Sequence, residues 1–124
     1  MKLHLNREDS LQLITAYSPG QLTVGQTVYR SSLIITPDQL MPDWGKSSPA
    51  TLDETDFAML RDLRPEVVLL GTGSHMQFPP PEITIPLVNE SIGLEVMDTA
   101  AACRTYNILA GEGREVAAAL IIQQ

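Results

Sequence analysis

Val67-Val68-Leu69-Leu70 is an unbroken aliphatic run that stops at Gly71-Thr72-Gly73-Ser74. A strand with one wet face alternates apolar and polar residues. A run without alternation marks a strand buried on both faces, as in a parallel sheet covered by helices. Residues 116–122 (VAAALII) form a second such run, and Leu94-Glu95-Val96-Met97 a shorter strand between them. Residues 98–110 read as a helix, because Ala100, Ala101 and Ala102 are strong helix formers and Asp98 is a good N-cap. Residues 66–122 therefore predict strand, crossover, strand, helix, strand, with parallel pairing through right-handed crossovers.

The crossover itself is contested by its own residues. Three prolines followed by Glu82 suit a helix start near Pro81. Ile83, Thr84 and Ile85 favour a strand, and Pro86 falls near the second turn of such a helix, where an interior proline costs up to ~3 kcal/mol.

The N-terminal half has a different pattern. Residues 11–18 alternate imperfectly, Ser18-Pro19-Gly20-Gln21 is a turn with proline and glycine at its central positions, and Gly25-Gln26 is a second turn signal. With residues 22–24 and 28–36 (VYRSSLIIT) as further strands, residues 11–36 predict an antiparallel meander. Residues 40–49 hold Trp44, Gly45 and two prolines and predict irregular backbone or a short strand. Thr51 and Glu54 match a capping box, followed by Phe57, Leu60 and Leu63 at helical spacing, with Pro65 ending the helix. The fold expected is one mixed α/β domain over residues 1–124, its core about 11–122: an N-terminal antiparallel β meander packed on a C-terminal β-α-β-α-β unit.

Composition narrows the partners. Fifteen acids against eight bases give a net charge of −7, with no basic cluster, so nucleic acid is not an expected ligand. One cysteine, Cys103, allows no internal disulfide and fits a reducing compartment. No apolar run reaches the ~18 residues of a membrane span, and MKLHLNREDS resembles neither a signal peptide nor an Arg-rich transit peptide. The expected address is the cytoplasm.

The ordered set Leu70-Gly71-Thr72-Gly73, Phe78-Pro79, Val96-Met97-Asp98-Thr99, Thr105-Tyr106-Asn107-Ile108-Leu109, Glu112-Gly113-Arg114 and Ala118-Ala119-Leu120-Ile121 carries a resemblance. Over about residues 12–122 the chain resembles the bacterial domain of unknown function related to the mitochondrial complex I assembly factor three and the adipogenesis-associated domain protein. Tyr29, Ser32-Leu33-Ile34 and Trp44 extend it more weakly. The resemblance implies a mixed α/β fold with a crossover helix after Phe78-Pro79, an undefined biochemical activity and a protein-binding role. With no mitochondrial presequence evident, the organellar role is not expected to transfer directly.

Two places are candidates for function. In an open α/β sheet, ligands bind beyond the carboxyl ends of parallel strands. If the strands ending at Leu70 and Met97 are parallel neighbours, Gly71, Thr72, Gly73 and Ser74 meet Asp98 and Thr99 at one rim, with Cys103 a turn into the helix and His75 at the edge. A tight strand exit is favoured over a phosphate cradle there: the third glycine of a dinucleotide fingerprint is replaced by Met76, a Walker lysine is absent, and no lysine or arginine lies between Arg64 and Arg104. A thiolate at Cys103 would be a nucleophile, with His75 the nearest base in the chain, but an inert buried thiol is the commoner condition. Asn107, Glu112 and Arg114 read as a hydrogen-bonded clasp at the helix end. Neither His4 nor His75 has a metal-ligand partner at useful spacing, so no metal, cofactor or catalytic residue is assigned. The second place is an aromatic surface, Trp44 and Phe78, with Met41 near it, of the kind that anchors protein partners. A non-catalytic interaction or assembly module is the leading expectation. A small-ligand-binding protein or enzyme using residues 71–74, Asp98 and Cys103 is the alternative, and a homo-oligomeric scaffold a third reading.

Overall fold

The computed structural model describes residues 11–123. His4 and the N-terminal decapeptide lie outside the described residues. In chain order the elements are β1 (Ile14–Ser18), β2 (Gln21–Val24), β3 (Thr27–Tyr29), β4 (Leu33–Ile35), β5 (Leu40–Met41), α1 (Glu54–Asp62), β6 (Val67–Gly71), α2 (Ile85–Asn89), β7 (Gly93–Met97), α3 (Thr99–Gly111) and β8 (Val116–Leu120). Short 3-10 turns precede α1 at Pro49–Thr51 and α2 at Pro81–Thr84.

β1, β2 and β3 form an antiparallel three-stranded sheet, turned at Gly20 and Gly25, both at positive φ. The other strands form a five-stranded sheet in the order β5-β4-β8-β6-β7. β6 runs parallel to both β7 and β8, while β4 pairs antiparallel to β8. The chain is thus a mixed α/β domain with a small antiparallel sheet packed on a larger mixed one.

β6 and β8 occupy the interior of the large sheet, which is why their sequences do not alternate. All five residues of β8 are buried. Its Val116, Ala118 and Leu120 face one layer and Ala117 and Ala119 the other. The first layer is α3 and the three-stranded sheet, contributing Tyr106, Cys103, Ala102, Leu22 and Val24. The second is α1 and α2, with Phe57, Leu60 and Leu87. Crossovers of constant hand explain the split. The β6-to-β7 step and the β7-to-β8 step move in opposite directions along the sheet, so α2 and α3 land on opposite faces.

Three local readings are corrected. Residues 28–36 are not one strand: the chain leaves the small sheet after Tyr29 and joins the large one at Leu33. Buried Ser32 makes the transfer, its Oγ accepting from the Ile122 amide and its carbonyl from the Trp44 amide. The capping box is formed by Asp53 and Asp56, not by Thr51 and Glu54. Thr51 is used up in the preceding turn, where its hydroxyl donates to the Ser48 carbonyl at 2.7 Å. Pro86 does not interrupt a helix. The crossover opens at Pro81 as a 3-10 turn and restarts as α2 at Ile85, which places Pro86 in a first turn, where its missing N–H costs nothing.

Candidate functional site

The parallel pairing of β6 with β7 brings the two following loops to one rim. The Thr72 amide donates to the Met97 carbonyl at 3.0 Å, and the Thr99 amide to the Gly73 carbonyl at 2.9 Å. Thr99 is the junction. Its hydroxyl accepts from the Gly73 amide at 2.8 Å and donates to the Ile121 carbonyl at 2.7 Å, so one buried oxygen links the exits of β6 and β8 to the start of α3. A β-carbon on Gly71 would lie 3.0 Å from the Thr99 Cα and 3.1 Å from the Ala102 Cβ. Glycine there lets α3 seat against the strand end.

The rest of the loop turns on buried Thr72. Its hydroxyl donates to the His75 carbonyl at 2.6 Å and accepts from the Gln77 amide at 3.1 Å. The Ser74 amide donates to Gln123 Oε1 at 3.2 Å, and the space beside Gly73, where a β-carbon would stand, is taken by the Gln123 side chain. The amides of Thr72, Gly73 and Ser74 are therefore all committed to protein acceptors. Asp98 caps α3, accepting from the Ala101 amide at 2.8 Å. Cys103 is buried in the first layer, and burial pushes its thiol up to about 12, despite the opposing pull of Arg104. Ser74 and His75 are exposed. Among the described residues no group of three or more His, Cys, Asp or Glu is arranged to hold a metal ion.

The clasp read at the end of α3 is dispersed. Asn107 reaches β1 instead: its Oδ1 accepts from the Ile14 amide at 2.9 Å and its Nδ2 donates to the Ile14 carbonyl at 2.6 Å. Arg114 pairs with Glu66 at 2.9 Å. A cleft of about 540 Å³ lies at the opposite end of the sheet, lined by Arg61, Asp62, Arg64, Pro65, Glu90 and Ile92. Sequence reasoning did not assign it, since its walls come from the ends of α1 and α2, which only the tertiary fold brings together.

The aromatic candidates differ in kind. Trp44 is half-buried against the second layer, and its Nε1 donates to Asp56 Oδ1 at 3.3 Å. Asp56 also accepts from the Asp53 amide and pairs with Lys46 at 3.2 Å. Trp44 thereby ties the irregular segment to the start of α1. Phe78 is 72% exposed. Met76, Ile85 and Val88 are exposed too, so four of the six exposed large hydrophobics among the described residues, with Val28 and Ile108 the others, fall in the single connection between β6 and β7. The signal for Met76, Ile85 and Val88 was available in the sequence but reads equally well as core.

A family described as Protein of unknown function (DUF498/DUF598) matches residues 14–121. The NADH dehydrogenase (ubiquinone) 1 alpha subcomplex assembly factor 3 of Danio rerio is 34% identical over 110 residues, covering 88% of this chain and 63% of that protein. The chain spans about six-tenths of the length of the vertebrate assembly factors it matches. Among solved structures, a Bordetella parapertussis protein superposes with a TM-score of 0.86 at 36% identity, covering 92% of this chain and 98% of that one. A Bordetella pertussis protein described as a Mth938-like domain gives 0.80 at 31%, over 90% and 86%. The chain belongs to the DUF498/DUF598 family and has the Mth938-like fold.

Proposed function

We propose that this chain is a non-catalytic protein-binding module of the assembly-factor kind, and that the connection between β6 and β7 is its partner surface. The observation that carries the reading is the exposure of Phe78, at 72%, in company with Met76, Ile85 and Val88. Exposed apolar groups gathered in one segment are the usual mark of a contact surface. The vertebrate relatives named as assembly factors support a protein partner. The commitment of the 72–74 amides to the protein's own acceptors gives the ligand-binding alternative no comparable support.

The test is a photo-reactive phenylalanine analogue at position 78 of the tagged chain, irradiated in its own cells. A discrete protein adduct is expected from position 78 and not from Glu112, which is exposed at the far end of α3. Phe78→Ser should remove the untagged partner from purified material without shifting the melting temperature, because the ring packs on little. The absence of any adduct, together with several degrees of thermal stabilisation by a small ligand, would overturn the proposal, since a ligand bound only by the native state raises its stability.

A further inference from the structure

β7 ends the five-stranded sheet, and among the described residues nothing pairs with its outer side. In a parallel pair the amide and carbonyl of one residue point the same way, and successive residues alternate. The Gly93 amide donates to the Glu66 carbonyl and the Met97 carbonyl accepts from the Thr72 amide, so Gly93, Glu95 and Met97 turn their backbone groups towards β6. Leu94 and Val96 turn theirs outward. The edge therefore presents two amides and two carbonyls in ladder geometry, on a strand that is exposed or half-buried throughout.

Side chains settle what the edge accepts. Leu94 and Val96 pack against the second layer, which leaves exposed Glu95 on the α3 face, midway between the two outward-facing residues. An antiparallel copy of β7 using all the outward groups of both strands would have to pair Leu94 with the other copy's Val96, and the reverse. That register sets Glu95 directly opposite its twin, in the closely spaced pair that is not hydrogen-bonded, where like charges repel. A charge on an edge strand is a known guard against self-pairing. The same carboxylate attracts a foreign strand carrying a base at that position.

We infer that β7 is a docking edge for an extended segment of a partner protein, which adds to the sheet as an antiparallel strand and sets a lysine or arginine opposite Glu95, between two apolar residues facing Leu94 and Val96. Main-chain bonds then hold the segment and the charge pair chooses it. The inference rests on the protein-binding reading above and adds the chemistry of the partner.

The test is NMR titration of the isotope-labelled chain with the peptide Thr-Val-Lys-Val-Thr and with its glutamate-centred counterpart. The lysine peptide should shift the Leu94 and Val96 amides and slow their hydrogen exchange. It should bind about three- to tenfold more tightly than the glutamate peptide, the range an opposite-charge against a like-charge cross-strand pair supplies. Glu95→Lys, which leaves the backbone alone, should reverse the preference. Val96→Pro removes an outward amide and leaves the β6 ladder whole, at the cost of part of the Val96 packing on the second layer; with a folded circular-dichroism spectrum as the control, both peptides should fail to bind. No response at Leu94 and Val96, equal binding of the two peptides, or a wild-type dimer in sedimentation that Val96→Pro dissolves would each overturn the inference. If the adduct at position 78 forms undiminished in Val96→Pro, the edge is not used while the partner surface stands. Loss of the adduct in that variant supports the edge.

Discussion

Gly71 shows how little room the central junction leaves. The atoms a new methyl group would meet include the Thr99 backbone, so α3 would have to move. Gly71→Ala is expected to cost about 1–3 kcal/mol, the usual range for overpacking, seen as a lower urea midpoint with an unchanged slope. Gly93→Ala is the comparison, since its nearest neighbour is an ordinary 3.6 Å from the added carbon, and it should be close to neutral. Cys103 supplies a pH test. Its thiol titrates near 9.0 when unperturbed and at about 12 when folded, because burial disfavours the thiolate. Its contribution is therefore complete below pH 9 and declines as pH rises towards 12. The wild type should lose more stability over that interval than Cys103→Ala, by chemical denaturation on either side of pH 9. At this scale the sequence placed the loops after β6 and β7 at one rim, where the structure has them. It concealed what fills the rim, because Gln123 stands 49 positions from Ser74 and nothing local announces their contact.

At the scale of elements, α1 depends on the reciprocal pair Asp53 and Asp56. A bond from the Thr55 hydroxyl, with help from the Asp56 and Thr55 amides and Lys46, holds the Asp53 carboxyl below its usual range. A carboxyl depressed in the folded state stabilises at neutral pH, and that contribution disappears as pH falls through the depressed value. Asp53→Asn should flatten the acid side of the melting-temperature profile relative to wild type, which circular dichroism over an acid series would show. β6, β8 and α3 were legible because their patterns are set by burial alone: unbroken aliphatics for strands between two layers, alanines for a helix pressed on them. The capping box was not. Thr51 and Glu54 fit the commoner motif better than Asp53 and Asp56 do, and only the turn at Pro49, which consumes the Thr51 hydroxyl, moves the start of the helix. The break before β4 was hidden for the same reason, since Ser32 is fixed by Ile122 and Trp44, both far along the chain.

At the scale of the molecule, the small sheet is fastened to the large one across α3. Asn107 holds both backbone groups of Ile14, and the Tyr106 hydroxyl donates to the Gln12 carbonyl at 2.7 Å. Asn107→Ala leaves a part-buried amide and carbonyl without those partners, at about 1–3 kcal/mol. Hydrogen exchange should report the loss as reduced protection in β1 and β2, with β6 and β8 unchanged, since the large sheet keeps its own ladder. The antiparallel N-terminal and parallel C-terminal parts were predicted from the change in residue pattern after Pro65, but the sheets divide earlier, after Tyr29, since β4 and β5 join the large sheet. Which strand lies at the centre was not, because order within a sheet depends on crossovers and not on composition.

That order has a consequence for how the molecule is made. β8 follows β4 and β6 in the chain yet sits between them, so neither has its inner neighbour until residues 116–120 have left the ribosome. The nascent polypeptide can close the first hairpins early, but its principal layer waits for translation to reach that inner strand. Until then the two aliphatic flanks stand bare, and they are the natural target for chaperones attending the emerging chain.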